Sequence, residues 1–91
     1  MVEEQRIIRF AGNVQGVGFR FTTCRVARGF DVTGSVRNCS DGGVECIVEG
    51  TPDEIAAFLQ VLEDQMGYFI RDRTEVSAPY TGRFGAFGVA Y

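Results

Sequence analysis

The chain has 91 residues, 45% of them apolar, and a formal net charge of −3. A chain this size predicts one domain that buries roughly 60–65% of its unfolded surface in one modest core. The acidic balance argues against a nucleic-acid partner, and no apolar run approaches the ~20 residues of a membrane span. No charged-then-apolar leader precedes the first periodic segment, so a soluble, cytoplasmic protein is expected. Residues 1–5 are polar and are expected to fray. An alternation from Arg6 to Val14, with Ile8 and Phe10 on one face, predicts a first strand. It runs into Gly12-Asn13-Val14-Gln15-Gly16-Val17-Gly18-Phe19-Arg20, a glycine-rich loop that opens a helix carrying Arg20 in its first turn.

Phe19, Thr23, Val26, Ala27 and Phe30 fall at i, i+4, i+7, i+8 and i+11, the stripe of a helix laid on a sheet. Gly29 ends that helix. Val32–Arg37 is a second strand, and Cys39-Ser40-Asp41-Gly42-Gly43 is hairpin-turn material. Val44–Val48 is a third strand with Val44, Cys46 and Val48 on one face. Thr51-Pro52-Asp53-Glu54 starts a second helix, with Thr51 as N-cap, Pro52 at the first helical position and Glu54 closing a capping box. Ile55, Phe58, Leu59, Leu62 and Met66 keep helical spacing and read as core. Asp72–Ala78 is a fourth strand, Pro79–Gly82 a turn, and Phe84–Tyr91 a last strand. The order βαββαβ plus a final strand, with right-handed crossovers and both helices on one sheet face, predicts an α+β two-layer sandwich of ferredoxin type.

In that topology the first and second strands run the same way, with the third antiparallel beside them. The loop after strand one and the hairpin after strand two then meet at one end of the sheet. Arg20 and Asn38, far apart in sequence, converge there. The last strand must run back toward that end beside strand two, bringing Tyr91 near Arg20. Two readings of the tail stand: its terminal carboxylate pairs with Arg20, or Phe87, Val89 and Tyr91 only cover the sheet edge.

Gly16 and Gly18 permit positive φ and leave room for a ligand, and successive amides at a helix N-terminus form an anion site. Arg20 adds a planar fork of donors suited to phosphate or carboxylate. The alternative is that the glycines only ease a tight turn. A Walker loop would need a lysine, and all nine basic residues are arginines; a dinucleotide fingerprint would need glycine where Phe21 sits. The chain has no histidine, which removes Ser-His and Cys-His nucleophile pairs. Carboxylates are the only ordinary bases, so catalysis must rest on positioning and charge stabilisation. Three cysteines at irregular spacing give neither a disulfide framework nor a zinc pattern. Cys24 and Cys46 read as small core residues, and Cys39 as a loop thiol. Asn38 is also a natural turn-former.

Val14-Gln15-Gly16-Val17-Gly18-Phe19-Arg20 resembles the signature of the acylphosphatase family. Val36-Arg37-Asn38, with Asp41-Gly42, Val44-Glu45 and Glu49-Gly50, resembles the family's second signature, and Ala27-Arg28-Gly29-Phe30 and Gly34 also fit. The resemblance is dense from Arg6 to Gly50, thin from Thr51 to Pro79, and returns at Phe87–Tyr91. It implies a single acylphosphatase-like domain over residues 1–91 with the same fold. It implies hydrolysis of acyl phosphates to a carboxylate and inorganic phosphate, with Arg20 and Asn38 catalytic. Gln15, Gly16, Val17, Gly18, Phe19 and Arg20 would cradle the phosphate while Asn38 holds the water. No metal and no cofactor are implied. The partner is a small-molecule acyl phosphate, not nucleic acid or membrane, and a monomer is expected.

One stretch departs from the pattern. Family members usually carry a Gly-Pro pair after the second helix, where this chain has Met66-Gly67-Tyr68-Phe69-Ile70-Arg71-Asp72-Arg73. That connection is expected on the rim of the site, where it would shape the choice of acyl group. Two rival readings remain. RNA-recognition motifs share the strand–helix order, but their aromatic signature belongs on strand three, where Val44–Val48 has no aromatic. A non-catalytic phosphate-binding or regulatory domain is the other, since similar domains open the hydrogenase-maturation carbamoyltransferases. Those continue into cysteine-rich zinc segments, so a free-standing enzyme is expected.

Overall fold

The alternation that places Ile8 and Phe10 on one face sets the centre of the sheet. In the computed structural model, which describes residues 2–91, the elements run β1 (Glu4–Gly12), α1 (Phe19–Ala27), β2 (Thr33–Asn38), β3 (Val44–Gly50), α2 (Pro52–Met66), β4 (Ile70–Pro79) and β5 (Phe87–Val89). A single 3-10 turn, Gly67–Phe69, joins α2 to β4. The sheet order is β4-β1-β3-β2-β5. All neighbours are antiparallel except β2 and β5, which are parallel. This is the ferredoxin-type α+β sandwich: two helices on one face of a mixed sheet, with an added edge strand. No helix among the described residues is long and apolar enough to cross a membrane.

The expected stripes form the core. Ile8, Phe10, Val36, Val44, Cys46 and Val48 of the sheet meet Phe19, Val26 and Ala27 of α1 and Ile55, Phe58, Leu59, Leu62 and Met66 of α2. The Phe10 and Phe19 rings pack at 5.1 Å and those of Phe58 and Phe87 at 5.5 Å, so the core ties both helices to the sheet. Each such side chain contributes about 1.5–3 kcal/mol by leaving water. On the other sheet face Arg9, Glu45 and Arg37 stand in register across three strands, with Glu45 ion-paired to Arg9 at 3.7 Å and accepting from Arg37 Nε at 3.0 Å.

Several boundaries differ from expectation. Glu4 and Gln5 do not fray: β1 pairs on both sides, Glu4 opposite Gly50 and Pro79, and Gln5 is buried. Met1 lies outside the described residues. β1 stops at Gly12 rather than Val14 because its register with β4 slips between Ala11 and Gly12, releasing the chain into the loop. β4 starts at Ile70, earlier than periodicity suggests, because β1 offers a ladder along its whole length. α1 gives way at Arg28, its C-cap, and Phe30 is only half-buried. Glu54 closes no capping box: its carboxylate accepts from the Asp31 N–H at 2.7 Å, while Thr51 Oγ1 accepts from the Glu54 N–H at 3.4 Å.

β5 spans three residues, not eight, because residues 80–86 are spent returning to the edge of β2. Glu49 holds that return. Its carboxylate, 1% exposed, accepts from the Thr81 N–H at 2.9 Å, the Thr81 hydroxyl at 2.7 Å, the Gly82 N–H at 3.0 Å and Gln5 Nε2 at 2.8 Å. Burial by itself pushes this carboxyl up. The Thr81, Gln5 and Gly82 donors outweigh that and hold it below the usual carboxylate range. The Cys39 thiol, expected in an exposed loop, is buried.

Candidate active site

The loop between β1 and α1 is anchored at both ends. The Asn13 N–H donates to the Phe69 carbonyl at 3.0 Å, and Val14 is fully buried. Gln15 Nε2 donates to the carbonyls of Cys39 at 2.8 Å and Gly43 at 2.9 Å, tying the loop to the β2–β3 hairpin. Gly16 and Gly18 both sit at φ 78, and a Cβ at either would meet no protein atom within 4 Å. The positive φ explains why glycine stands there, and the open side faces away from the protein.

Gly18 is the N-cap of α1 and supplies no side-chain cap; the first turn holds no acidic residue. The first helical hydrogen bond runs from the Thr22 N–H to the Gly18 carbonyl at 2.9 Å, so the preceding helical amides have no partner within the helix. Unpaired amides at the positive end of a helix dipole attract an anion.

Arg20 extends from that first turn, half-buried, with no ion pair among the described residues. Of the two readings of the tail, the pairing of its terminal carboxylate with Arg20 is not seen; the Tyr91 ring stands 5.7 Å from the guanidinium carbon. Asn38 ends β2 opposite Val44, exposed, and its side-chain amide makes no hydrogen bond among the described residues. Arg20 and Asn38 line one cavity of about 500 Å³, together with Gly16, Gly18 and Phe19. No Asp or Glu side chain among the described residues lines it, and a second arginine, Arg28, does. Its field therefore favours anions.

Gln15 and Val17, expected to give the cradle their main-chain amides, turn their side chains elsewhere. The Gln15 side chain faces the hairpin carbonyls, and Val17 packs against the core. Their main-chain amides remain part of the loop. Phe21, Cys24 and Arg28 from α1 and Phe87, Gly88, Val89 and Tyr91 from the tail complete the cavity wall. The i, i+4, i+8 spacing of Arg20, Cys24 and Arg28 was the available signal for a shared helix face. Burial pushes the Cys24 thiol up, and the Arg28 charge offsets that only in part, so the thiol is protonated at neutral pH. Burial likewise pushes up the Cys46 thiol.

The 66–73 connection does not line this cavity. It supports the loop through the Phe69 carbonyl, and its Arg71, Asp72 and Arg73 border a separate hollow of about 350 Å³ with Arg9 and the hairpin. Among the described residues no three His, Cys, Asp or Glu side chains are grouped to hold a metal ion.

The fold is a ferredoxin-type α+β sandwich, and its cavity brings together a helix N-terminus without a side-chain cap and an arginine without an ion pair among the described residues, an arrangement suited to an anion. The acylphosphatase family matches residues 6–88. An acylphosphatase of Arthrobacter sp. (strain FB24) is 40% identical over 84 residues, covering 91% of this chain and 77% of that one. The crystal structure of acylphosphatase from Bacillus subtilis superposes with a TM-score of 0.87 at 27% identity, covering 97% of this chain and 99% of that one. T. kodakarensis HypF gives 0.80 at 31% identity, covering 94% of this chain but 12% of that one. The chain belongs to the acylphosphatase family, and its activity is that of an acylphosphatase, a hydrolase of acyl phosphates.

Proposed function

We propose that residues 1–91 act as one catalytic unit in which the Gln15–Arg20 loop cradles the phosphoryl group and Asn38 holds the attacking water. The observation that carries this is the convergence of donors without partners among the described residues, the α1 amides and the Arg20 fork, on a cavity lined by no Asp or Glu side chain, with the Asn38 amide in the same wall. Phosphoryl transfer passes through a loose transition state, so catalysis is mainly positioning and charge neutralisation. The loop amides and the guanidinium neutralise charge on the phosphoryl oxygens. The Asn38 amide orients water for attack on phosphorus. The P–O bond to the acyl group breaks, and the leaving carboxylate, with a pKa of about 4, departs without a general acid. The proton released by water passes to phosphate oxygen or bulk solvent, so the absence of histidine is no obstacle.

The test is hydrolysis of an aryl acyl phosphate, with and without chelator, by the parent and Asn38→Ala. Turnover indifferent to chelator is expected, with kcat about 10²–10³ lower in the variant and inorganic phosphate bound as before. Equal loss of rate and phosphate affinity would move Asn38 into the cradle, and no loss would leave it a turn residue. A second reading, a phosphate-binding domain without turnover, draws on the likeness to a small part of the much longer HypF chain. Phosphate binding with no hydrolysis in the same assay would favour it.

A further inference from the structure

Arg6, Arg9, Arg37, Arg71 and Arg73 each lie within 3.7 Å of a carboxylate. Arg20, Arg25, Arg28 and Arg83 have no such partner among the described residues, and of these four Arg20 and Arg28 line the same cavity. They follow one another at i and i+8 along one face of α1, with Cys24 between them. At about 1.5 Å per residue, their Cα atoms are about 12 Å apart along the helix axis. Cys24, Phe87 and Val89 give the wall an apolar character between the two charges.

A phosphoryl group held at Arg20 accounts for one of the two cations. The other, Arg28, lines the same cavity further along the helix. We propose that Arg28 is a specificity-determining residue that binds a second anionic group, carboxylate or phosphate, at the far end of a short acyl chain. The preferred substrate is then an acyl phosphate with two separated negative charges. This rests on the phosphoryl group occupying the Arg20 loop.

A bland role is available: a cation near the end of a helix complements its dipole. Arg25 provides the control, because it is on the same helix but donates to Gln65 Oε1 at 2.8 Å and does not line the cavity. The experiment compares kcat/KM for benzoyl phosphate and 4-carboxybenzoyl phosphate at low ionic strength. In the parent the carboxylated substrate is favoured about fivefold, the upper range for a largely exposed charge pair. The ratio falls toward one in Arg28→Gln, inverts in Arg28→Glu, and stays at the parental value in Arg25→Gln. The parental preference also shrinks as salt is raised. A ratio near one in the parent, the same ratio in Arg28→Gln, or an equal fall in Arg25→Gln would each overturn the role of Arg28 while leaving the hydrolytic reading intact. Failure of the parent to hydrolyse either substrate would overturn the hydrolytic reading first.

Discussion

The two helices begin in opposite ways. The N-terminus of α2 is sealed: Thr51 caps it, Pro52 occupies a position whose N–H would have had no partner, and Asp53 and Glu54 face the dipole. Glu54 also accepts from Asp31, and Glu49, just upstream, satisfies donors from two other segments. The N-terminus of α1 has none of this. A glycine cap, no acidic residue and no ion pair on Arg20 leave its donors unsatisfied. The same local deficit, several amides with no acceptor, is met by the chain itself at α2 and not by the described residues at α1, where the proposed function seats the phosphoryl group. An enzyme that must bind and release an anion cannot fill its own site.

Exchanging charge at the open end has the largest expected effect. Arg20→Gln removes the fork without breaking any protein ion pair. Its kcat/KM is expected to fall about 10³-fold, about 4 kcal/mol of transition-state stabilisation, with Tm nearly unchanged. Full turnover with weak phosphate binding would show that the open terminus is not the reacting site.

At the sealed end the expected losses are in stability. Glu49→Gln sets an amide N–H among donors and is expected to cost about 2 kcal/mol, lowering Tm by roughly 10 °C. The parent should also weaken in acid. Because the folded Glu49 carboxyl is held below its ordinary value, its contribution is complete above about pH 5 and is lost as pH falls through the lowered folded value. Thermal melts of parent and Glu49→Gln should therefore converge as pH drops below about 4. A constant gap across that range would mean the charge on Glu49 is not what holds the tail.

Thr51→Ala is the mildest change. It removes the cap of α2 and is expected to cost about 1 kcal/mol with kcat unaltered. A change in kcat would mean that the sealed end communicates with the open one.

Much of this was legible from residue order. Gly16 and Gly18 predicted a glycine loop that opens a helix, and both sit at positive φ just before α1; the family signatures pointed to Asn38 as the partner of Arg20 in the proposed site. The stripes of α1 and α2 and the apolar face of β3 followed from spacing. The true role of the Gln15 side chain was not legible, since its acceptors, Cys39 and Gly43, come from a hairpin more than twenty residues away. Nor were the ends of β1 and β4, which depend on the ladder each offers the other.

Sequence alone determined what is short-range: which segments are helix or strand, where glycine must bend the chain, and that no histidine or lysine takes part in the chemistry. Hydrophobic periodicity and local sterics act within a few residues, so they can be read along the chain. Tertiary structure decided which of those features became a site. Arg28 and Cys24 were one turn after another on a helix until β5 docked beside β2 and gave that face an opposite wall. Glu49 was an ordinary strand acid until Thr81 and Gly82 crossed over it. Both outcomes depend on segments distant in sequence meeting in space, and the entropy lost in bringing them together is repaid only by the packing of the whole sheet.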